Sequence, residues 1–169
     1  NSSHHGIYNN KGDITNTGTL NISNSVSTAW YNQSDNAADA GTMFIINEGD
    51  INISDITNTA FYTTINGDSL YLTNSGNITI QNTNNHGIRN QIQNDSSYLE
   101  FTNTGNLIFK NIGQNAIWNE SKTNNVGTEA LAIFNNYGLI DIDNAQNSGI
   151  YNYANRAKLL FVNHQDAVV

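Results

Sequence analysis

The pattern Asn-x-Gly-x-apolar-x-apolar recurs along this chain, and that recurrence leaves few folds open. Its copies centre on Gly18, Gly49, Gly76, Gly105 and Gly138, with a degenerate sixth at Gln165, at spacings of 31, 27, 29, 33 and 27 residues. A period in this range, with alternation inside each unit, specifies a repeat architecture in which each unit buries its apolar face by stacking on the next.

A second motif travels with the first. Gly6-Ile7-Tyr8-Asn9 returns as Ala29-Trp30-Tyr31-Asn32, Ala60-Phe61-Tyr62-Thr63, Gly87-Ile88-Arg89-Asn90, Ala116-Ile117-Trp118-Asn119 and Gly149-Ile150-Tyr151-Asn152. Every repeat glycine stands 12 residues before the apolar residue of the following copy, so this half of the unit has a fixed length. The other half varies, with linkers at 10–11, 33–42, 64–69, 91–98, 120–131 and 153–158. One edge of the structure is therefore expected to carry loops of different size, and loops on a rigid scaffold are where function concentrates. The linker lengths are all even, which preserves the alternation of any strand running through them. Hairpin extensions are expected in some, with Ile65-Asn66-Gly67-Asp68 the best case because Asn-Gly suits a type I′ turn.

Alternation also predicts the core. One parity carries Ile14/Leu20/Ile22, Ile45/Ile51/Ile53, Leu72/Ile78/Ile80, Phe101/Leu107/Phe109, Phe134/Ile140/Ile142 and Phe161/Ala167/Val169, while the other is mostly polar. Stacked at the strand spacing of about 4.8 Å, like residues lie over like in a continuous apolar column. The glycine between the two strand halves is expected to make a corner, through a positive φ or through the lack of a side chain. Asn16, Asn47, Asn74, Asn103, Asn136 and Asn163 precede that corner, and Asn24, Asp55, Asn82, Asn111 and Asn144 follow the strand. Asparagine tolerates turn conformations and stacks into hydrogen-bonded ladders, so Asn16, Gly18, Asn47, Gly49, Asn74, Gly76, Asn103, Gly105, Asn136 and Gly138 are read as a structural corner and ladder.

Composition agrees. Asparagine supplies 33 of the 169 residues, but the regular Ile, Leu and Phe spacing argues against disorder. The absence of proline suits uninterrupted ladders, and the absence of cysteine excludes disulfides and thiolate metal sites. A net charge of −8, with six Lys and Arg in all, argues against nucleic acid and anionic membrane as partners. The chain has no apolar run long enough to span a membrane and no visible signal peptide, and it begins without Met, so it reads as a piece of something longer.

The repeated strings NTGTLNIS, NEGDINIS, NSGNITIQ, NTGNLIFK and NYGLIDID, joined to GIYN or AIWN, resemble the passenger regions of bacterial autotransporters and related large surface adhesins. The resemblance covers nearly the whole chain. It implies an all-β, right-handed parallel β-helix (a β-solenoid) of about six rungs across 1–169, a single segment of a longer passenger. It further implies a non-enzymatic role in adhesion, or as a stalk displaying a binding region, at the bacterial surface or secreted through the outer membrane. The lack of cysteine fits, since passengers cross the outer membrane unfolded. The expected partners are a host glycan or protein, or like molecules on other cells, with end-to-end self-association through open ends. No cofactor is implied. The rival expectations are a polysaccharide-acting β-helix enzyme and a self-associating structural or toxin passenger module.

Tyr8, Tyr31, Tyr62, Arg89, Trp118 and Tyr151 share one repeat position and are expected to form an outward stripe interrupted by Arg89. Such a stripe either contacts sugar or protein ligands or stacks on itself as a sheet stabiliser. Asp141 and Asp143 are the one acidic pair on a strand face, a spacing that suits paired carboxylates but lacks a further acid nearby. His4, His5, His86 and His164 are the candidate metal ligands, but His86 before Gly87, and His5 in the matching place before Gly6, suit a turn role better than ligation. Asp35, Asn36 and Asp39 could chelate calcium but lack an EF-hand spacing. The sequons at Asn21, Asn52 and Asn77 are what chance supplies in a chain this rich in Asn, Ser and Thr.

Overall fold

The computed structural model describes residues 4–34, 41–122, 130–164 and 166–169, and among them every regular element is a strand. The chain winds through three parallel sheets in strict rotation. The first stacks β1 (Ile7–Asn10), β4 (Trp30–Gln33), β7 (Phe61–Ile65), β10 (Ile88–Ile92), β13 (Ile117–Lys122) and β16 (Ile150–Asn155). The second stacks β2 (Ile14–Asn16), β5 (Thr42–Asn47), β8 (Ser69–Asn74), β11 (Tyr98–Asn103), β14 (Leu131–Asn136) and β17 (Lys158–Asn163). The third has five strands, β3 (Thr19–Ser23), β6 (Asp50–Ile56), β9 (Asn77–Thr83), β12 (Asn106–Ile112) and β15 (Leu139–Ala145). Among the described residues this is a parallel β-solenoid of five complete turns and a sixth without a third strand.

The repeat alignment is also the pairing register. Ile88 lies between Phe61 and Ile117, Asn103 between Asn74 and Asn136, and Ile78 between Ile51 and Leu107. In-register stacking of identical positions is what buries the column. Ile45, Ile53, Leu72, Ile80, Phe101, Phe109 and Phe134 are sealed from solvent, joined by Trp30, Phe61, Ile88 and Ile117 from the first sheet. Burial of side chains of this size, at about 1.5–3 kcal/mol each, is the main stabilising term.

Of the two routes expected at the repeat glycine, the positive φ is not taken and the missing side chain is what matters. None of Gly18, Gly49, Gly76, Gly105 and Gly138 has a positive φ; at the end of the third-sheet strands Asn24, Asp55, Asn82, Asn111 and Asn144 are left-handed, at φ 57, 58, 54, 53 and 65°. Asn and Asp tolerate that conformation because their short polar side chains bond locally. The repeat glycines are needed for contact instead. A Cβ at Gly49, Gly76 or Gly105 would stand 2.0 Å from the carbonyl oxygen of the glycine one turn earlier, whereas at Gly18, in the first described turn, it meets nothing within 4 Å.

Two further expectations are corrected. Asn66-Gly67 makes no hairpin: β7 and β8 belong to different parallel sheets, and the link is a corner in which only Gly67 takes a positive φ, 88°. The last coil also leaves the repeat register. Repeat spacing puts Ala167 opposite Ile140 and Asp166 opposite Leu139, yet Leu139 bridges Val168, whose carbonyl accepts from Ile140 N at 2.8 Å. Val169, expected in the column, is 61% exposed. Gln165 itself lies outside the described residues.

Candidate functional site

The predicted corner and ladder residues are brought together inside the solenoid. Asn16, Asn47, Asn74, Asn103, Asn136 and Asn163 form one continuous chain of amides, each Nδ2 donating to the Oδ1 of the next turn at 2.8, 2.7, 2.7, 2.8 and 2.8 Å. Asn47, Asn74, Asn103 and Asn136 are fully buried. The same Nδ2 also donates to the carbonyl two residues on, Gly18, Gly49, Gly76, Gly105 and Gly138 in turn. That second bond dictates which end of each amide is the donor and so gives the whole ladder one polarity. Buried polar groups are tolerated here because every one is paired.

Tyr8, Tyr31, Tyr62, Arg89, Trp118 and Tyr151 also stack in register. Tyr8 and Tyr31 have ring centroids 5.7 Å apart, Tyr31 and Tyr62 5.0 Å, and Trp118 and Tyr151 5.8 Å. Arg89 does not interrupt the stripe. Its guanidinium lies 5.0 Å from the Tyr62 ring centre and 4.4 Å from that of Trp118, a cation held between two π faces. Tyr8 and Tyr151, at the two ends, are exposed; the four inner members are half-buried. Tyr31 and Tyr62 lie nearly parallel, at 21°, while Tyr8 meets Tyr31 and Trp118 meets Tyr151 edge to face, so the stripe packs on itself along the stack.

Beside this column runs a polar row. Tyr62 Oη donates to Gln91 Oε1, Gln91 Nε2 donates to Glu120 Oε2 at 2.9 Å, and Arg89 pairs with the same oxygen at 3.3 Å. Burial is the main reason the Tyr62 hydroxyl titrates above the ordinary tyrosine range. His86 is buried against Trp118, ring centroids 4.4 Å apart and edge to face, and its Nδ1 faces Asn115 N at 3.4 Å. Burial first, and the Arg89 guanidinium second, lower its pKa to about 4. The turn role expected for His86 is the one it occupies.

The second sheet carries a further aromatic group, in which Phe44 and Tyr71 share a repeat position and Tyr98 does not. Phe44 and Tyr71 are both exposed and stack at 5.5 Å, and Tyr98 tilts against Tyr71 at 5.4 Å. Tyr98 Oη donates to Glu100 Oε2 at 2.7 Å.

The linker edge is rooted in buried polar contacts. Asp68 accepts from Ser34 Oγ and from Gly41 N at 2.7 Å and lies 3.7 Å from Lys11 Nζ, so one carboxylate ties three successive linkers. Gly67 N donates to the buried Ser97 Oγ at 2.7 Å. The calcium expectation at Asp35, Asn36 and Asp39 lies outside the described residues.

Asp141 and Asp143 are exposed and pair in register with Ile108 and Lys110. Among the described residues no three His, Asp or Glu side chains converge to hold a metal ion. His164 instead stacks on Tyr137 with centroids 3.7 Å apart. The sequon residues Asn52 and Asn77 are engaged in exposed ladders, donating to Asn21 Oδ1 at 2.9 Å and Asp50 Oδ1 at 2.8 Å.

The fold and these surfaces define a parallel β-solenoid repeat protein with an internal asparagine ladder. Comparison with protein-family models, with curated proteins and with solved structures finds no match.

Proposed function

We propose that this chain is a non-enzymatic segment of a bacterial cell-surface or secreted passenger, acting in adhesion or as the stalk that displays a binding region. One observation carries the reading: the parts of each turn divide into a constant and a variable half. From each repeat glycine to the next Ile or aromatic motif the turns superpose residue for residue, while all linkers of unequal length leave from the edge between the first and second sheets. Asp68 and Ser97 anchor the base of that edge, which suits loops selected for what they contact.

The partner this reading favours is a host glycan or protein, or a like molecule on another cell. The test replaces residues 35–40 and 123–129 with Gly-Ser segments of equal length and measures binding of the purified chain to host cells and matrix. Binding lost with thermal stability retained supports display by this edge; binding unchanged in the doubly replaced chain refutes it.

A further inference from the structure

A corner groove of about 350 Å³ opens on the outer side of the turns that follow the third sheet, lined by Asn82, Asn84, Asn111, Gly113, Asn144 and Gln146 over Thr83 and Ile112. It exists because of one residue. The register Ile56↔Thr83↔Ile112↔Ala145 aligns the next positions as Thr57, Asn84, Gly113 and Gln146, so a side chain is missing only at Gly113. The gap is enforced, since a Cβ there would lie 2.4 Å from the Asn84 carbonyl oxygen. The floor is rigid: Asn84 N, Gly113 N and Gln146 N donate to Ile56 O, Thr83 O and Ile112 O of the turn before at 3.0, 2.7 and 3.0 Å.

One wall is an amide ladder, Asn144 Nδ2 to Asn111 Oδ1 at 3.2 Å and Asn111 Nδ2 to Asn82 Oδ1 at 3.1 Å. A primary amide carries two donors and two acceptor lone pairs, so each ladder member retains one N–H and one lone pair for a ligand. The groove thus presents alternating donors and acceptors at the strand repeat of about 4.8 Å. It has no charged side chain.

We infer that this groove is a binding site for a neutral glycan. Hydroxyl groups both donate and accept and so match an amide wall. A carboxylate or phosphate only accepts, would meet the Oδ1 atoms with no cation to offset them, and is disfavoured by the net charge of −8. An extended peptide binds by adding to an open strand edge, and the backbone here is already paired between turns. The site lies on a different corner from the linker edge and is independent of the adhesion reading.

The experiment titrates the isotope-labelled chain with neutral gluco-, galacto- and manno-oligosaccharides, alongside an acidic oligosaccharide and a Gly-Ser peptide, following backbone and side-chain amide resonances. Shifts centred on the side-chain amides of Asn82, Asn84, Asn111 and Asn144 with at least one neutral sugar, at an affinity on the order of 1 mM, are expected. The exposed double substitution N84A/Q146A, at unchanged melting temperature, weakens that binding about fivefold or more. No shift with any neutral sugar, shifts confined elsewhere, stronger response to the acidic sugar or the peptide, or equal binding by the double variant would each overturn the assignment. Should the double variant fold poorly, the location of the shifts in the native chain decides alone. Loss of cell binding on linker replacement leaves these shifts in place.

Discussion

The Nδ2 of Asn74 donates to the Oδ1 of Asn103 at 2.7 Å and, with its other proton, to the carbonyl of Gly76 at 3.2 Å. Two features of the repeat motif are thereby explained together. The asparagine supplies the link to the next turn, and the glycine two residues on from each ladder asparagine lets its own turn lie close against the turn before, as Gly105 does against Gly76. A third consequence is directional, because the amides all point the same way along the stack and the buried ladder is continuous from Asn16 to Asn163.

Close approach, rather than a special backbone angle, makes Gly76 irreplaceable. A methyl group there would sit 2.0 Å from the Gly49 carbonyl oxygen and 2.8 Å from the Glu48 carbonyl. G76A should lose about 3 kcal/mol or more in urea unfolding, or fail to fold. G18A, with nothing within 4 Å, should stay within about 0.5 kcal/mol of the native chain.

The left-handed corners make the opposite demand. Asn111 has φ 53°, so N111V should cost about 1–2 kcal/mol through backbone strain while N111G costs less, measured by thermal unfolding. Equal losses would mean that the exposed ladder, not the conformation, fixes this residue.

Much of this was legible in the sequence, and the exceptions have physical causes. Repeat glycines and stacked apolar parity locate the turns because in-register parallel pairing makes alignment in sequence equivalent to neighbourhood in space. The interior asparagines share the inward parity with Ile45 and Ile51, and only the continuous ladder makes it tolerable for a polar side chain to stay there. Phe44 and Tyr71 share a repeat column, but Tyr98 pairs with Ser69 and Leu131, so its contact with Tyr71 is diagonal and no column of aligned positions holds all three. Asn66-Gly67 has hairpin chemistry, but its flanking strands each find partners in neighbouring turns first. At the last coil the repeat glycine is replaced by Gln165, and the pairing beyond it has slipped by two residues, with Val168 in the place expected of Asp166.

Arg89 and Glu120 form a partly buried pair whose members depend on each other. R89M should leave the Glu120 carboxylate without its counter-ion, held only by Gln91, as well as remove the cation between Tyr62 and Trp118. The double variant R89M/E120Q should then recover about 1–3 kcal/mol relative to R89M, read in a double-mutant cycle of unfolding free energies. Additive losses would show that the two side chains are not coupled.

His86 gives the pH dependence a defined window. Its pKa in the folded chain, about 4, lies below the value near 6.5 of an unfolded histidine, so the unfolded state binds the extra proton between the two. The stability that neutral His86 supports is present in full above about pH 6.5 and is lost as pH falls toward 4. H86Q should flatten that part of the profile in urea unfolding between pH 4 and 7, and an identical slope in the variant would remove His86 as its origin.

The most direct test of the account is a comparison of two asparagines three residues apart. Asn74 is buried in the internal ladder, and Asn77 lies in the exposed one, donating to Asp50 Oδ1 at 2.8 Å. Urea unfolding should show N74A losing about 1–3 kcal/mol, the cost of leaving buried amide partners unpaired, and N77A losing less than about 0.5 kcal/mol. Equal losses for the two variants, or an N74A chain as stable as the native one, would contradict the claim that the internal ladder holds the turns together.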